Sequence, residues 1–400
     1  MTDSEVAGRA APVEGLQPYA VTIFAEMSAL AASIGAVNLG QGFPDEDGPP
    51  AMLKAAQEAI AQGVNQYPPG LGIPELRQAI ARQRKRQYGV DYDPDTEVLV
   101  TVGATEAIAA SVFGLVEPGD EVIVIEPFYD SYSPVLAMAG AHRRAVPMVP
   151  DGKGFALDLD ALTKAVTKRT RALIVNSPHN PTGTVLTDDE LRQRAELATD
   201  RDLLVITDEV YEHLVFDGHR HLPLAQYPGM RDRTLTISSA AKMFNCTGWK
   251  IGWVCGAPEL IKGVRAAKQY LTYVGGAPFQ PAVAYALNHE QPWVDQLRTD
   301  LQARRDKLST ALTDIGFEVH DSSGTYFVCA DPRPLGYDDS TRFCLELPEK
   351  TGVAAIPMSA FCDPSAAHFD NWNHLVRFAF CKRDETMDEA IKRLGSLGRA

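Results

Sequence analysis

The 400-residue sequence is poor in several features, and each shortage removes a class of protein. Six cysteines occur with no Cys-x-x-Cys pair, which argues against a disulfide frame and for reduced thiols, mostly small core residues, in a cytoplasmic protein. No His-Glu-x-x-His and no Cys/His grid appears, so a metal site has no support. No apolar run reaches the roughly 18 residues of a membrane span, and MTDSEVAGRAAPVEG lacks the regions of a signal peptide. Positive charge is scarce. With 38 Lys and Arg against 52 Asp and Glu the formal net charge is -14, which disfavours a nucleic-acid surface. The densest basic run, RQRKR (82–86), reads as a solvated helix face. GLGIPE (70–75) does not fit the Gly-x-Gly-x-x-Gly fingerprint and no Walker motif is present, so nucleotide binding is not expected. HRH (219–221) reads as a loop.

What is present fits a large soluble α/β protein. Hydrophobic residues make up 45% of the chain, enough that disorder is not the default beyond a loose first dozen residues. From about 98 to 255, β-branched runs alternate with amphipathic stretches. The candidate strands are VLVTV (98–102), EVIVI (121–125), ALIVN (172–176), LLVIT (203–207), TLTIS (234–238) and IGWVC (251–255). Between two of them DDELRQRAELATDRD follows Thr187 and carries Glu190 three residues later, a capping-box start. This alternation predicts a mostly parallel sheet covered by helices on both faces. After about 290 a long helix leads to short strands around TYFVCA and HLVRFAF and a final helix from Asp384. The expected organisation is an N-terminal segment (1–45) partly joining the small domain, a large domain (46–290) and a small α+β domain (291–400).

Ligands of open α/β sheets bind beyond the carboxyl ends of the strands, and the residues just past these strand ends share one chemistry. Gly103-Ala104-Thr105 opens a helix and offers free N–H groups to a phosphate, with Ser239 and Lys250 as further donors. Tyr129 could stack on a flat ring, Asp208 could pair with a protonated ring nitrogen, and Asn180 and Tyr211 could hydrogen-bond a ring hydroxyl. Lys242, among small neighbours in SSAAK, can lose its proton and form a Schiff base with an aldehyde. A phosphate, a basic ring, a phenolic oxygen and an aldehyde together describe pyridoxal 5'-phosphate. Taken singly, each residue has a plainer reading: Gly103 and NPTG as turns, Tyr129 and Tyr211 as core aromatics, Asp208 as a helix cap, Lys242 as a surface lysine. Those readings fail jointly, because independent turns and caps would not fall in this order.

NPTG, TDEVY, SxxK and the distal Lys250 occur in the order and spacing of the fold-type I, class I aminotransferases, which the sequence resembles over nearly its whole length. LGQGFPD (39–45), TVGATEAI (101–108), EPFYDSY (126–132), NSPHNPTG (176–183) and TGWKIGW (247–253) are similar to the kynurenine, glutamine and methionine branch. Within it the likeness extends to actinobacterial N-succinyldiaminopimelate aminotransferases. The resemblance implies that Lys242 is the Schiff-base lysine and proton carrier, that Asp208 holds the ring nitrogen protonated, and that Tyr211 and Asn180 tune the ring oxygen. Tyr129 would stack on the ring, while Gly103, Ala104, Thr105, Ser239 and Lys250 would hold the phosphate. Lysine at 250 replaces the arginine of many relatives and offers a point charge without a bidentate fork. Arg377 in LVRFAF would take the substrate carboxylate with help from the backbone near Gly42, Phe24 would lie near the substrate, and Tyr67 would reach the phosphate of a second subunit in a homodimer.

The implied reaction is ping-pong transfer of an amino group, with glutamate the expected donor and N-succinyl-2-amino-6-oxopimelate the expected acceptor, in lysine biosynthesis. Small amino and keto acids are the expected partners, with no nucleic acid or membrane. Gly275-Gly276, where kynurenine- and glutamine-specific relatives carry bulkier side chains, would leave room for a long acyl chain. A broad-specificity glutamine, methionine or kynurenine aminotransferase, or a β-lyase acting on cysteine conjugates, stays open as an alternative. A regulator sensing the cofactor would need a DNA-binding segment for which the residues before the core leave no room, and a dead binding module would be expected to lose Lys242 or Asp208.

Overall fold

Every strand expected from the sequence forms, with small shifts at the ends, in the computed structural model, which describes residues 12–20 and 22–399. The expected loose first dozen fall outside the described residues except for Pro12. In chain order the strands are β1 (Val37–Asn38), β2 (Val98–Val102), β3 (Glu121–Glu126), β4 (His142–Asp151), β5 (Gly154–Leu157), β6 (Thr170–Asn176), β7 (Leu204–Asp208), β8 (Thr234–Ser239), β9 (Ile251–Cys255), β10 (Glu318–Val319), β11 (Phe327–Asp331), β12 (Val353–Ala354), β13 (Ile356–Pro357) and β14 (Val376–Ala379).

β2 to β9 build an eight-stranded sheet in the order β2-β9-β8-β7-β6-β3-β4-β5. β4, β3, β6, β7 and β8 run parallel, while β9 is antiparallel to both β2 and β8, and β5 is antiparallel to β4. β4 and β5 carry no separate signal in the sequence, because HRRAVPMVPD mixes basic residues and prolines that read as a connector. The central strands are mostly buried, as helices on both faces require: β3 and β8 throughout, and β6 and β7 except at their first residues. A second, antiparallel sheet has the order β10-β11-β14-β13, and the N-terminal segment pairs with the late part of the chain through β1 and β12. The helix Asp188–Asp200 begins with the full capping box of Thr187 and Glu190.

The RQRKR run departs from expectation at its centre. On the helix Pro74–Tyr88, Arg84 is 0% exposed and pairs with Glu209 at 2.8 Å and Glu212 at 2.5 Å. The helical period explains this, since Arg77, Ile80, Ala81 and Arg84 share the inward face while Arg82 and Lys85 point out. His221, in the HRH loop, turns inward to Glu209 at 3.0 Å. Among the described residues Glu209, Glu212 and His221 are spaced as a cation site would be, and the Arg84 guanidinium fills that role. Arg84→Met should lower unfolding free energy by roughly 3–5 kcal/mol, because it strands two buried carboxylates. Chemical denaturation of the cofactor-free protein would measure this. Adding Glu209→Gln and Glu212→Gln should restore part of the loss, and a single variant as stable as the parent would contradict the account.

Candidate active site

Beyond the carboxyl ends of β6, β7 and β8 lies a cavity of about 290 Å³. It is lined by Phe24, Gly42, Gly103, Ala104, Thr105, Tyr129, Asn180, Asp208, Tyr211, Ser239, Lys242, Lys250 and Arg377, that is, by every site residue expected from the sequence except Tyr67. The convergence follows from topology: parallel strands end on the same edge, so residues far apart in sequence open into one crevice.

One wall is built of donors. Gly103 begins the helix Gly103–Leu115 with φ +73°, and a Cβ there would lie 3.1 Å from Lys250 Nζ, so the backbone N–H groups and the lysine share a space only glycine leaves open. The Glu106 carboxylate accepts from the Val102 N–H at 2.6 Å and the Thr101 hydroxyl donates to the Gly103 carbonyl at 2.9 Å, which fixes the helix start. Ser239 is buried at the end of β8, and Lys250 stands exposed at the rim with a left-handed backbone, φ 53°. A helix N-terminus, a hydroxyl and an ammonium facing one space suit a phosphate.

The opposite wall is acidic and aromatic. Asp208 is buried at the end of β7, where the Tyr132 hydroxyl donates to its carboxylate at 2.7 Å and the Val210 N–H at 3.4 Å. Burial pushes its carboxyl above the usual range, and the Tyr132 hydrogen bond opposes that shift. The Asn176 amide ties the Asp208 carbonyl at 2.8 Å and accepts the Asn180 N–H at 2.7 Å, joining β6 to NPTG. Tyr129 lies edge-on to Tyr132, with ring centroids 5.7 Å apart.

Lys242 sits on the short helix that follows β8 and reaches into the cavity. Its amine donates to the Tyr326 hydroxyl at 2.7 Å and to the Gly42 carbonyl at 3.3 Å. Desolvation lowers its pKa to about 8, with Arg377 and Lys250 adding to the effect and Cys381 and Asp208 opposing it. An enclosed lysine with that pKa is partly neutral near pH 8 and so competent as nucleophile and base.

Arg377, on β14, is 3% exposed and lies 3.8 Å from the Phe327 ring centroid and 4.5 Å from that of Phe361. It donates to the Asn180 side-chain oxygen at 2.8 Å and the Gly40 carbonyl at 3.0 Å, while its buried Nε has no partner. Burial lowers its pKa to about 10, which still leaves it charged at neutral pH. A buried cation with neutral partners and an unused donor calls for an anion. A short backbone strip supports these cations: the Gly40 carbonyl accepts from Arg377, Gly42 from Lys242 and Tyr326, and Phe43 from Lys382 at 2.6 Å.

Two expectations fare differently. Tyr67 is 83% exposed and lies outside this cavity, against Tyr273 at a centroid distance of 5.6 Å. Gly275 and Gly276 do not line the cavity; a Cβ would meet Val102 at 2.7 Å from the first and Ile251 at 2.2 Å from the second, which also has φ +65°. Contacts within the chain are thus enough to account for glycine at both positions, and neither lines this chain's own cavity. Tyr132, Asn176, Tyr326 and Phe361 are site residues that the sequence reading does not single out. Tyr132 stands inside the quoted EPFYDSY, where its spacing from Tyr129 is a usable signal, whereas Tyr326 and Phe361 depend on how β11 and a late 3-10 turn fold back.

Comparison with known proteins agrees with this chemistry. The family model for class I and II aminotransferases matches residues 34–394. A Mycobacterium tuberculosis protein named as a probable N-succinyldiaminopimelate aminotransferase is 75% identical over 96% of this chain and 98% of its own. The solved structure of N-succinyldiaminopimelate aminotransferase from that organism superposes with a TM-score of 0.95 at 75% identity, covering 97% of this chain and 100% of that one. The methionine aminotransferase of Escherichia coli is 38% identical over 96% of this chain and 98% of its own. The chain belongs to the class I and II aminotransferases, enzymes that depend on pyridoxal 5'-phosphate, and the donor wall, the buried carboxylate and the enclosed amine fit that group.

Proposed function

We propose that this transaminase moves an amino group between glutamate and N-succinyl-2-amino-6-oxopimelate, a step of lysine and cell-wall precursor synthesis. The observation that carries the substrate is the 75% identity, over nearly full length, to the mycobacterial N-succinyldiaminopimelate aminotransferase. We place the work in the cytoplasm, in keeping with reduced cysteines and with the absence, among the described residues, of a helix long and apolar enough to cross a membrane. We also infer a homodimer in which the exposed Tyr67 serves the neighbouring site, and a division into a large unit (46–290) and a small unit (291–400), the latter opening with the helix Gln291–Ile315.

In this reading the Gly103–Thr105 N–H groups, Ser239 and Lys250 hold the cofactor's phosphate, and Tyr129 flanks its ring. Asp208 would keep the ring nitrogen protonated, and Tyr211 and Asn180 would hydrogen-bond the phenolic oxygen. When bound, pyridoxal phosphate supplies an aldehyde for the substrate's amine and an electron-withdrawing ring that weakens the bond from Cα to hydrogen. Lys242 would be the amine that meets that aldehyde, and its Nζ would carry a proton away from the substrate's Cα. Asp208, whose charge is costly in isolation, is stabilised by holding a proton-bearing nitrogen opposite it. Arg377 takes the α-carboxylate with its spare donor and so orients Cα toward Lys242. The aromatic cover of Phe24, Phe327 and Phe361 excludes water around that ion pair.

The test is a single-turnover absorbance series on the cofactor-loaded enzyme with glutamate, N-succinyldiaminopimelate, glutamine, methionine and kynurenine. Fast conversion by the first two and slow conversion by the rest is expected. The opposite order would assign the broad specificity that the likeness to methionine aminotransferase favours. Release of pyruvate and ammonia from a cysteine conjugate would mark β-elimination instead.

A further inference from the structure

Tyr326 has no part in the roles above, yet its hydroxyl is a direct partner of the reacting amine. The ring is 1% exposed and held edge-on by Tyr211 at 5.1 Å and Phe327 at 4.8 Å. The hydroxyl donates its single proton to the Gly42 carbonyl, so only its lone pairs face Lys242, which donates to it at 2.7 Å. Burial raises the phenol well above its ordinary range, so it remains protonated in the working range and is a fixed acceptor, not a base. Cys381, Asp208, Arg377 and Lys250 also act on the amine, and the Tyr211 ring centroid lies 5.6 Å from it.

A second observation concerns the residue before it. Thr325 is buried with φ 68°, a left-handed conformation that a β-branched residue rarely adopts. It is over-determined there: its N–H reaches the Leu214 carbonyl at 2.9 Å and its hydroxyl accepts the Phe327 N–H at 3.1 Å. Strain fixed this firmly clusters where a side chain must be aimed. A transaminase lysine is released and recaptured in every half-reaction, and its four-carbon stem is mobile once free.

We propose that Tyr326 is a positioning residue that, with the Gly42 carbonyl, holds the amine of Lys242 while it is free and aims it for proton transfer at the substrate's Cα. This rests on the transaminase reading and extends it. The covalent balance is unchanged, because Tyr326 neither gains nor loses a proton.

Tyr326→Phe removes only the acceptor oxygen. The single-turnover kcat with glutamate should fall roughly 10–100-fold while KM changes less than about 3-fold. In the cofactor-free full chain, the pH dependence of Lys242 acylation by acetic anhydride, read by peptide mass spectrometry, should shift to lower pH, since the ammonium form loses an acceptor. Thr325→Gly keeps the hydroxyl but frees the backbone, so it should lower kcat less and leave the acylation midpoint near the parent's. Unchanged kcat and an unchanged midpoint in Tyr326→Phe would reduce the tyrosine to packing, and a loss confined to KM would make it a substrate contact; either overturns the proposal. If the parent enzyme converts no amino donor, it is the transaminase reading that fails. Should Tyr326→Phe not fold, a kcat for Thr325→Gly equal to the parent's would by itself overturn the proposal.

Discussion

Lys242→Ala should lower the single-turnover rate with glutamate by on the order of 10⁴-fold, because one amine serves as both anchor and proton carrier. Retention of pyridoxal phosphate should suffer less, since Ser239, Lys250 and the Gly103 helix start are untouched. Gel filtration followed by absorbance of the protein fraction would show the two effects apart. A variant keeping a tenth of the parent's rate would mean that another base does the work. The same residue sets a pH limit. A free amine with a pKa of about 8 loses its neutral form as pH falls below that value. The proton-transfer rate should therefore drop close to tenfold per unit below about pH 7. A rate flat from pH 8 to pH 6 would contradict the assignment.

Asp208→Asn should cut kcat by roughly 10³-fold with little change in KM, because an amide cannot hold a ring nitrogen protonated. Stability should move the other way. The carboxyl's pKa is raised in the folded protein by burial, so the native state binds the proton more tightly than the unfolded chain. Asp208 thus costs no stability below its unfolded pKa, and the cost grows as pH rises from there through the folded value. The amide carries no such cost, and the cofactor-free variant should unfold at a higher denaturant concentration than the parent at pH 7.5. With cofactor bound the order should reverse, since only the carboxylate gains from a cationic partner. Equal midpoints in the cofactor-free proteins would mean that Tyr132 and the Val210 N–H already offset the burial.

Much of this site is legible in the sequence because its residues follow strands that periodicity reveals. The ends of VLVTV, LLVIT and TLTIS lead directly to Gly103, Asp208 and Lys242, and the parallel arrangement places them on one edge. What escapes depends on contacts between distant segments. Arg84 reads as solvated because a basic run carries no mark of what packs against it, and its partners Glu209 and Glu212 lie over a hundred residues on. Tyr326 is an aromatic at the head of an apolar strand, and nothing nearby shows that its hydroxyl meets Lys242. Gly275 and Gly276 show the same limit from the other side. Small residues suggest space, but within the chain Val102 and Ile251 are what a side chain there would meet.

The strip from Gly40 to Phe43 receives Arg377, Lys242 and Lys382 on peptide carbonyls, which every amino acid carries. An alanine scan would therefore leave these acceptors in place and report only what the side chains add, such as the Phe43 ring 4.1 Å from Lys382 Nζ. Alanine at Gly42 would bring a Cβ to 2.4 Å from Phe327, and at Gly40 to 2.9 Å from Ile356, so the damage there would come from a displaced chain. The information in this segment is the path of the backbone. Replacing single amides by esters, which weakens one carbonyl acceptor at a time, would read it where side-chain replacement is blind.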